Sequence, residues 1–294
     1  MAMSSGAGQL RSVLAGDACV VAASVFDPLS ARMAGALGQT VGVLGGSVAS
    51  HVVLGAPDII LLTASELVDQ CRRICRAEPS LALLVDADHG YGNALNVERT
   101  VEDLQQAGVA GVTIEDTLLP RAFGEGGPPL IDRREGVGKM LAALAGRGRG
   151  EAVVLGRTQA ASSTSIDDAV DRLLAYQDAG VDALFVPGLR SMTDLDRLAR
   201  AVERPLVLGG AAPALFKPDE LAARGVRLWL WGHQPFTAAM ATLFEAMRAA
   251  RDGTLPADIA GAPMTRQLAD LLRTEDYERR IRLWLSDSAE PHRD

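Results

Sequence analysis

The chain has 294 residues, 48% hydrophobic and 22% charged, with a formal net charge of −8 and three cysteines. That length buries a substantial core in one large domain or two small ones, and no run is apolar and long enough to span a membrane. An acidic balance without any cluster of Lys and Arg interleaved with aromatics excludes a nucleic-acid-binding surface, and three cysteines make no disulfide framework. No charged-then-apolar leader is visible, so a soluble cytoplasmic protein is expected.

Taken in order, a short N-terminal tail runs into a helix, and eight apolar, strand-like runs follow. They are CVVAASVF (19–26), TVGVLGG (40–46), LALLVDAD (81–88), GVTIED (111–116), AVVLGRT (152–158), ALFVPG (183–188), PLVLGG (205–210) and RLWLWG (227–232). Amphipathic helical stretches alternate with them, ASELVDQCRRICRA, NVERTVEDLQQAG and SIDDAVDRLLAYQDAG among them. In the first of these, Cys71 and Cys75 share a helix face and read as packing; Cys19 opens a strand. Gly38, Gly108, Gly180 and Gly225 each precede a strand, as left-handed helix stops do. Near-continuous apolar strands between helices mean a parallel sheet buried on both faces. Eight such units in roughly 250 residues predict an α/β fold of the closed (β/α)8 TIM-barrel type, in preference to an open doubly wound sheet. Residues 1–253 form the expected barrel. Residues 254–294 form an extension with one more helix, MTRQLADLLRTEDYERRIRLWL, whose leucines need a surface outside the eight units.

In barrels of this type chemistry gathers at the C-terminal strand ends. Asp86 and Asp88, spaced i, i+2, are expected on one face of a strand end, with Glu115 and Asp116 closing the neighbouring strand. Acids from adjacent strands repel unless a cation sits among them, so Asp86, Asp88 and Glu115 are the candidate metal ligands, with hard oxygens suited to Mg²⁺. Arg157 ends the fifth strand, where a guanidinium can hold a carboxylate bidentately or pair with Glu115 or another nearby acid. Gly45, Gly46 and Ser47 offer backbone amides and a hydroxyl to an anionic oxygen, or form a plain turn. His233 ends the eighth strand, placed either to orient a substrate or to cap the next helix. His89 reads as a loop holder, Asp58, Tyr91 and Asn93 as turn or mouth residues, and His292 as part of the tail.

The blocks SVFDPLSARMAGALG, GVLGGSVAS, VDADHGYGNALNVERTVEDLQQAGVAGVTIEDTLLP, EGVGKMLAAL, GRT and WGH are spread along the chain from Ser24 to His233. They resemble the isocitrate lyase/phosphoenolpyruvate mutase superfamily, most closely its oxaloacetate decarboxylase branch. The resemblance implies a Mg²⁺-dependent barrel, with Mn²⁺ as a substitute ion. It also implies a homotetramer, a dimer of dimers, in which the C-terminal helix is exchanged between neighbouring subunits. Carried over residue by residue, Asp86 matches the metal-ligand aspartate, and Asp88 and Glu115 match acids that support the metal through water. Ser47, beside Gly46, matches a substrate-contacting serine, Arg157 the carboxylate-binding arginine and His233 the active-site histidine. The cysteine-containing loop of the lyase branches is replaced by LLPRAFGEGGPPLIDRREG, which has neither Cys nor His, and the seventh strand ends LVLGGAAP without the polar residues of relatives.

The expected function is therefore that of a carbon–carbon lyase: Mg²⁺-dependent decarboxylation of a small 2-keto dicarboxylate, oxaloacetate to pyruvate and CO₂, through a metal-stabilised enolate. Three alternatives use the same apparatus. One is a phosphonopyruvate or carboxyphosphonoenolpyruvate mutase, for which Arg121, Arg133 and Arg134 on the 117–135 loop offer cations. The others are a 2,4-dicarboxylate lyase and a non-catalytic dicarboxylate binder.

Overall fold

The computed structural model describes residues 5–124, 129–210, 217–259 and 265–285. Eight parallel strands close into one barrel in sequence order, β1 to β8. They are β1 (Val20–Ser24), β2 (Val41–Leu44), β3 (Ala82–Asp86), β4 (Gly111–Glu115), β5 (Val153–Arg157), β6 (Ala183–Pro187), β7 (Leu206–Gly209) and β8 (Val226–Leu230). Each is shorter by one to three residues than the apolar run that predicts it, chiefly because polar or glycine residues at its C-terminal end leave the ladder.

Helix α1 (Gly6–Ala15) precedes the barrel. Between the strands lie α2 (Pro28–Ala36), α3 (Gly46–Leu54), α4 (Ala64–Ala77), α5 (Ala94–Gln106), α6 (Arg133–Arg147), α7 (Ala160–Ser163), α8 (Ile166–Ala179), α9 (Met192–Ala201) and α10 (Pro218–Ala222). Their boundaries follow from local chemistry. Asp27 with Ser30, Thr63 with Glu66 and Asn93 with Asn96 form reciprocal capping boxes at the starts of α2, α4 and α5, satisfying amides that a helix cannot pair internally. At the other ends, Gly38, Gly108, Gly180 and Gly225 all take positive φ, as their positions before strands predict.

Side chains alternate along each strand and sort into two cores. Outward residues such as Leu83, Val85, Val112, Ile114 and Leu184 pack beneath the helices. Inward residues Ala22, Val41, Val43, Ala82, Leu84, Val153, Leu155, Ala183, Phe185, Val207 and Leu228 fill the barrel, and Leu10 and Leu14 of α1 join them. Continuing the inward series by two positions reaches Ser24, Gly45, Asp86, Glu115, Arg157, Pro187, Gly209 and Leu230. The uppermost layer of the barrel is thus polar on one arc and apolar on the other.

The i, i+2 alternation does not extend to Asp88. β3 stops at Asp86, and Asp88 adopts φ 48°, a left-handed conformation that costs a non-glycine residue roughly 1–2 kcal/mol. Asp86 and Asp88 meet through a turn, not through one strand face. The Gly45–Ser47 segment also differs from a plain turn, since α3 begins at Gly46 with Gly45 as its N-cap.

By its contacts the chain divides into two compact units, residues 1–237 and 238–294, with the boundary inside α11 (Gln234–Arg251). After residue 264 the described residues form two helices, α12 (Thr265–Leu271) and α13 (Thr274–Leu285), where the sequence pattern predicts one. Arg273 takes φ 55° and breaks the run, and Glu275 and Asp276 follow in the first turn of α13, where a helix N-terminus favours acids. Among the described residues no helix is long and apolar enough to cross a membrane.

Gly146 marks a close contact between α5 and α6. A Cβ there would lie 2.1 Å from the Glu98 carbonyl oxygen of α5. Gly146→Ala gains up to about 1 kcal/mol of helix propensity but forces two backbones apart, at a cost of about 1–3 kcal/mol. A net loss of stability in urea unfolding is expected, and a net gain would show that the α5–α6 contact yields freely.

Candidate active site

Arg157 is the centre of the mouth. It ends β5, so alternation turns it inward, and its neighbours in the register, Glu115 on β4 and Phe185 on β6, stand on either side. Its Nη1 donates to Asp86 Oδ2 at 2.5 Å, and Nη2 lies 2.9 Å from Glu115 Oε2. The second contact is an ion pair without hydrogen-bond alignment. Glu115 Oε2 and Arg157 Nε therefore remain buried polar atoms without a hydrogen-bond partner. The guanidinium also stacks over the Phe185 ring, 5.3 Å from its centroid. Burial works against the Arg157 charge, but Asp86 and Glu115 outweigh it and hold the group above its ordinary pKa. The carboxylate-binding and salt-bridging expectations for Arg157 thus meet in one residue: two carboxylates of the chain already occupy one side of the fork.

Asp86 is fixed from both sides, since Thr113 Oγ1 donates to its Oδ1 at 2.8 Å. Thr113 escapes the sequence reading, although it lies two residues before Glu115 on the same inward face. Asp88 sits against the start of α3, where a Cβ on Gly46 would fall 2.7 Å from Asp88 Oδ1. Burial, then Asp86, Glu115 and Asp58, push the Asp88 carboxyl well above the ordinary range. Burial likewise raises Glu115 against the pull of Arg157. Asp58 stands at the mouth, exposed on its outer side, and partial desolvation and then Asp86 raise it too.

Four carboxyl groups thus share one guanidinium; burial first, and mutual repulsion second, holds three of them up. A divalent cation among them would restore the balance. The donors are all hard oxygens, which suits Mg²⁺ over a thiol- or imidazole-seeking metal. Among the described residues no three His, Cys, Asp or Glu side chains close on a single point. Mg²⁺ itself favours one or two direct carboxylates, with its remaining positions left to water and substrate.

His233 faces this set from just beyond β8. Its Nδ1 lies 2.7 Å from Ser24 Oγ on β1. The imidazole leans on Gly45, where a Cβ would lie 2.6 Å from Nε2. Burial lowers its pKa more than Asp86 raises it, so the ring is neutral at pH 7. Ser24 is a second residue that the sequence reading misses. Gly46 and Ser47 open α3 without any side-chain cap, and both line the cavity.

These groups line an inner cavity of about 280 Å³, whose other wall is Phe185, Pro187, Gly209 and Leu230 from β6 to β8. Phe185 occupies the space in front of Gly209, where a Cβ would meet its ring at 2.8 Å. An outer cavity of about 670 Å³ shares Asp58, Asp86 and Arg157 and adds Asp88, Glu115 and Arg121. Arg133 and Arg134, in contrast, are exposed and paired with Asp171 and Asp132. Of the three arginines that would favour a phosphorus substrate, Arg121 alone reaches this cavity. Residues 125–128 of the 117–135 loop, residues 211–216 after the seventh strand, and His292 lie outside the described residues.

The remaining candidates have other duties. His89 is buried, its pKa lowered to about 4 by burial and then Lys139, and its ring tilts against Tyr91. Asn93 caps α5. His51, on α3, stacks on Phe236. Asp116 turns away from the mouth into a buried network with Arg172 and Tyr176.

Known proteins share this architecture. The family model for phosphoenolpyruvate phosphomutase matches residues 10–251. A protein of Bradyrhizobium sp. strain BTAi1 named oxaloacetate decarboxylase is 50% identical over 276 residues, covering 94% of this chain and 96% of its own. Among solved structures, 2,3-dimethylmalate lyase, a PEP mutase/isocitrate lyase superfamily member, superposes with a TM-score of 0.85 at 28% identity, covering 97% of this chain and 100% of its own. Phosphonopyruvate hydrolase, solved in complex with oxalate and Mg²⁺, gives a TM-score of 0.86 at 27% identity, covering 96% of this chain and 100% of its own. With a family model matched over most of its length and a curated relative at 50% identity, the chain belongs to the PEP mutase/isocitrate lyase superfamily.

Proposed function

We propose that the chain is a Mg²⁺-dependent oxaloacetate decarboxylase that breaks the C3–C4 bond of a 2-keto dicarboxylate to give pyruvate and CO₂. One observation carries the reading: a single buried guanidinium stands among an excess of carboxyl groups at the mouth of the barrel, in a chain half identical to a protein named for that activity. Asp86 would hold the cation directly, with Asp88 and Glu115 acting through water. Bound there, Mg²⁺ supplies Lewis acidity toward the keto and carboxylate oxygens of a substrate.

The chain's own residues do the rest. Ser47 and the Gly46 amide take the C1 carboxylate at the start of α3, where the helix dipole favours an anion. As the C3–C4 bond breaks, its electron pair moves into a C2–C3 double bond and negative charge grows on the keto oxygen. Arg157 offsets that charge where it develops, a contribution of about 3–4 kcal/mol for a donor of this kind. His233 is held in one orientation by Ser24 and Gly45. With the Ser24 hydroxyl donating to Nδ1, Nε2 carries the proton and donates to the substrate. C3 then takes a proton from solvent. No covalent nucleophile is needed, in keeping with a 117–135 loop that has neither Cys nor His.

The reading extends to a cytoplasmic homotetramer in which the 254–294 extension packs on a neighbouring subunit. Supporting it are the exposed apolar residues Ile281, Leu283, Trp284 and Leu285 of α13.

Arg157→Ala and Asp86→Ala should each lower kcat/KM for oxaloacetate by about 10²-fold or more. The quantity to follow is pyruvate formation above the spontaneous reaction, with and without EDTA; full activity in either variant would overturn the site. Ser24→Ala should cost about tenfold by freeing the imidazole, less than His233→Ala does. A third expectation concerns protons. Burial and then the neighbouring acids raise the Asp88 pKa, so without a cation the group keeps its proton to a higher pH than an ordinary carboxyl, and a bound cation competes with that proton. Mg²⁺ affinity should therefore tighten as pH rises and level off above the raised pKa. Calorimetry in buffers of different ionisation heat reads the released proton directly. A pH-independent affinity with no proton release would remove Asp88 from the cation site.

A further inference from the structure

Three consecutive carbonyl oxygens in the turn after β3 are each taken by a donor from a different element. The Glu115 amide of β4 donates to Asp88 O at 2.8 Å, Lys139 Nζ of α6 donates to His89 O at 2.8 Å, and Thr100 Oγ1 of α5 donates to Gly90 O at 3.3 Å. The turn they hold is an unusual one. Asp88, Gly90, Tyr91 and Gly92 have φ of 48°, 81°, 61° and 149°, so two residues with side chains sit in the left-handed region. Such conformations persist only where the surroundings over-determine them.

Lys139 is the costly member of this set. Its residue is 3% exposed, and among the described residues its ammonium has one hydrogen-bond acceptor, the His89 carbonyl. Glu135, Glu115 and Asp116 supply the surrounding negative charge. A methionine would fill the same space on the apolar face of α6, beside Met140 and Ala143, without desolvating a charge. Packing alone therefore does not account for a lysine. What a lysine adds is a donor long enough to cross from α6 to the turn.

We propose that Lys139 is a positioning residue: with Thr100 and the Glu115 amide it clamps the strained 88–92 turn, so that the Asp88 carboxylate is held over the first turn of α3 and within reach of a cation shared with Asp86. The proposal rests on the cation site proposed above. A Cβ at Gly46 would already collide with Asp88 Oδ1, which shows how little room the carboxylate has once the turn is set. Loosening the turn would leave the fold intact and move one acid out of reach.

The test uses Mn²⁺ alone as probe, counting free ion by electron paramagnetic resonance, together with amide hydrogen exchange of residues 86–93. Lys139→Met should weaken Mn²⁺ binding about tenfold or more and Thr100→Val about threefold, in the range seen when groups supporting metal ligands are removed. Exchange in 86–93 should quicken by a similar factor. Leu195→Ala, a buried change on α9, serves as the control for general loss of stability and should leave Mn²⁺ affinity unchanged. Wild-type Mn²⁺ affinity in Lys139→Met overturns the proposal, as does equal weakening in Leu195→Ala. Should Lys139→Met fail to fold, Thr100→Val decides: unchanged affinity and unchanged exchange overturn it. If the unmodified protein binds no Mn²⁺, the cation reading itself falls, and exchange in 86–93 alone judges the clamp.

Discussion

The contest between one guanidinium and four carboxyl groups organises this molecule. Arg157 cannot neutralise Asp58, Asp86, Asp88 and Glu115 together, and the surplus is pressed into a partly dehydrated barrel mouth where charge is expensive. A fold that needed only stability would replace such a cluster with apolar side chains. Keeping it is what the proposed cation site would require. In the function proposed above, the same electrostatics would divide the labour: acids for a cation, and a permanently charged guanidinium for an anion growing on the substrate.

Backbone geometry makes that arrangement reproducible. Alternation along β3, β4 and β5 brings Asp86, Thr113, Glu115 and Arg157 into the barrel's upper layers, so their approach is inherited from the sheet and not from flexible loops. Asp88 arrives by another route, a left-handed turn tied down by three donors. His233 is braced across the seam between β1 and β8, against Ser24. Closure of the barrel is thus a condition of the site, because the first and last strands must be neighbours for that brace to exist.

How much of this the amino-acid order reveals depends on the range of the interaction. Eight apolar runs separated by amphipathic stretches disclose the barrel, since burial on both faces demands continuous hydrophobicity. Strand-end acids and Arg157 stand out for the same reason: a charge directly after such a run has only the mouth to occupy. Ser24 does not stand out, because what distinguishes it is a histidine 209 positions away. Lys139 carries a signal that simple reading passes over. It falls in the stripe of Gly136, Met140 and Ala143 on α6, where a charge on a buried face should prompt a search for its partner. The break between α12 and α13 is hidden because leucines continue on both sides of Arg273, and periodicity cannot register one residue of reversed φ.

The pairing of Phe185 with Gly209 has a consequence for how this pocket can change over time. The ring fills the volume that any larger residue on β7 would claim, so neither position can be altered freely while the other stays as it is. A lineage that gained a side chain at 209 would first, or simultaneously, have to shrink residue 185, and in doing so would strip Arg157 of the aromatic face beneath it. The apolar wall and the cationic centre are therefore heritable only as a set, which makes drift toward a differently shaped substrate a two-step passage through a poorer catalyst.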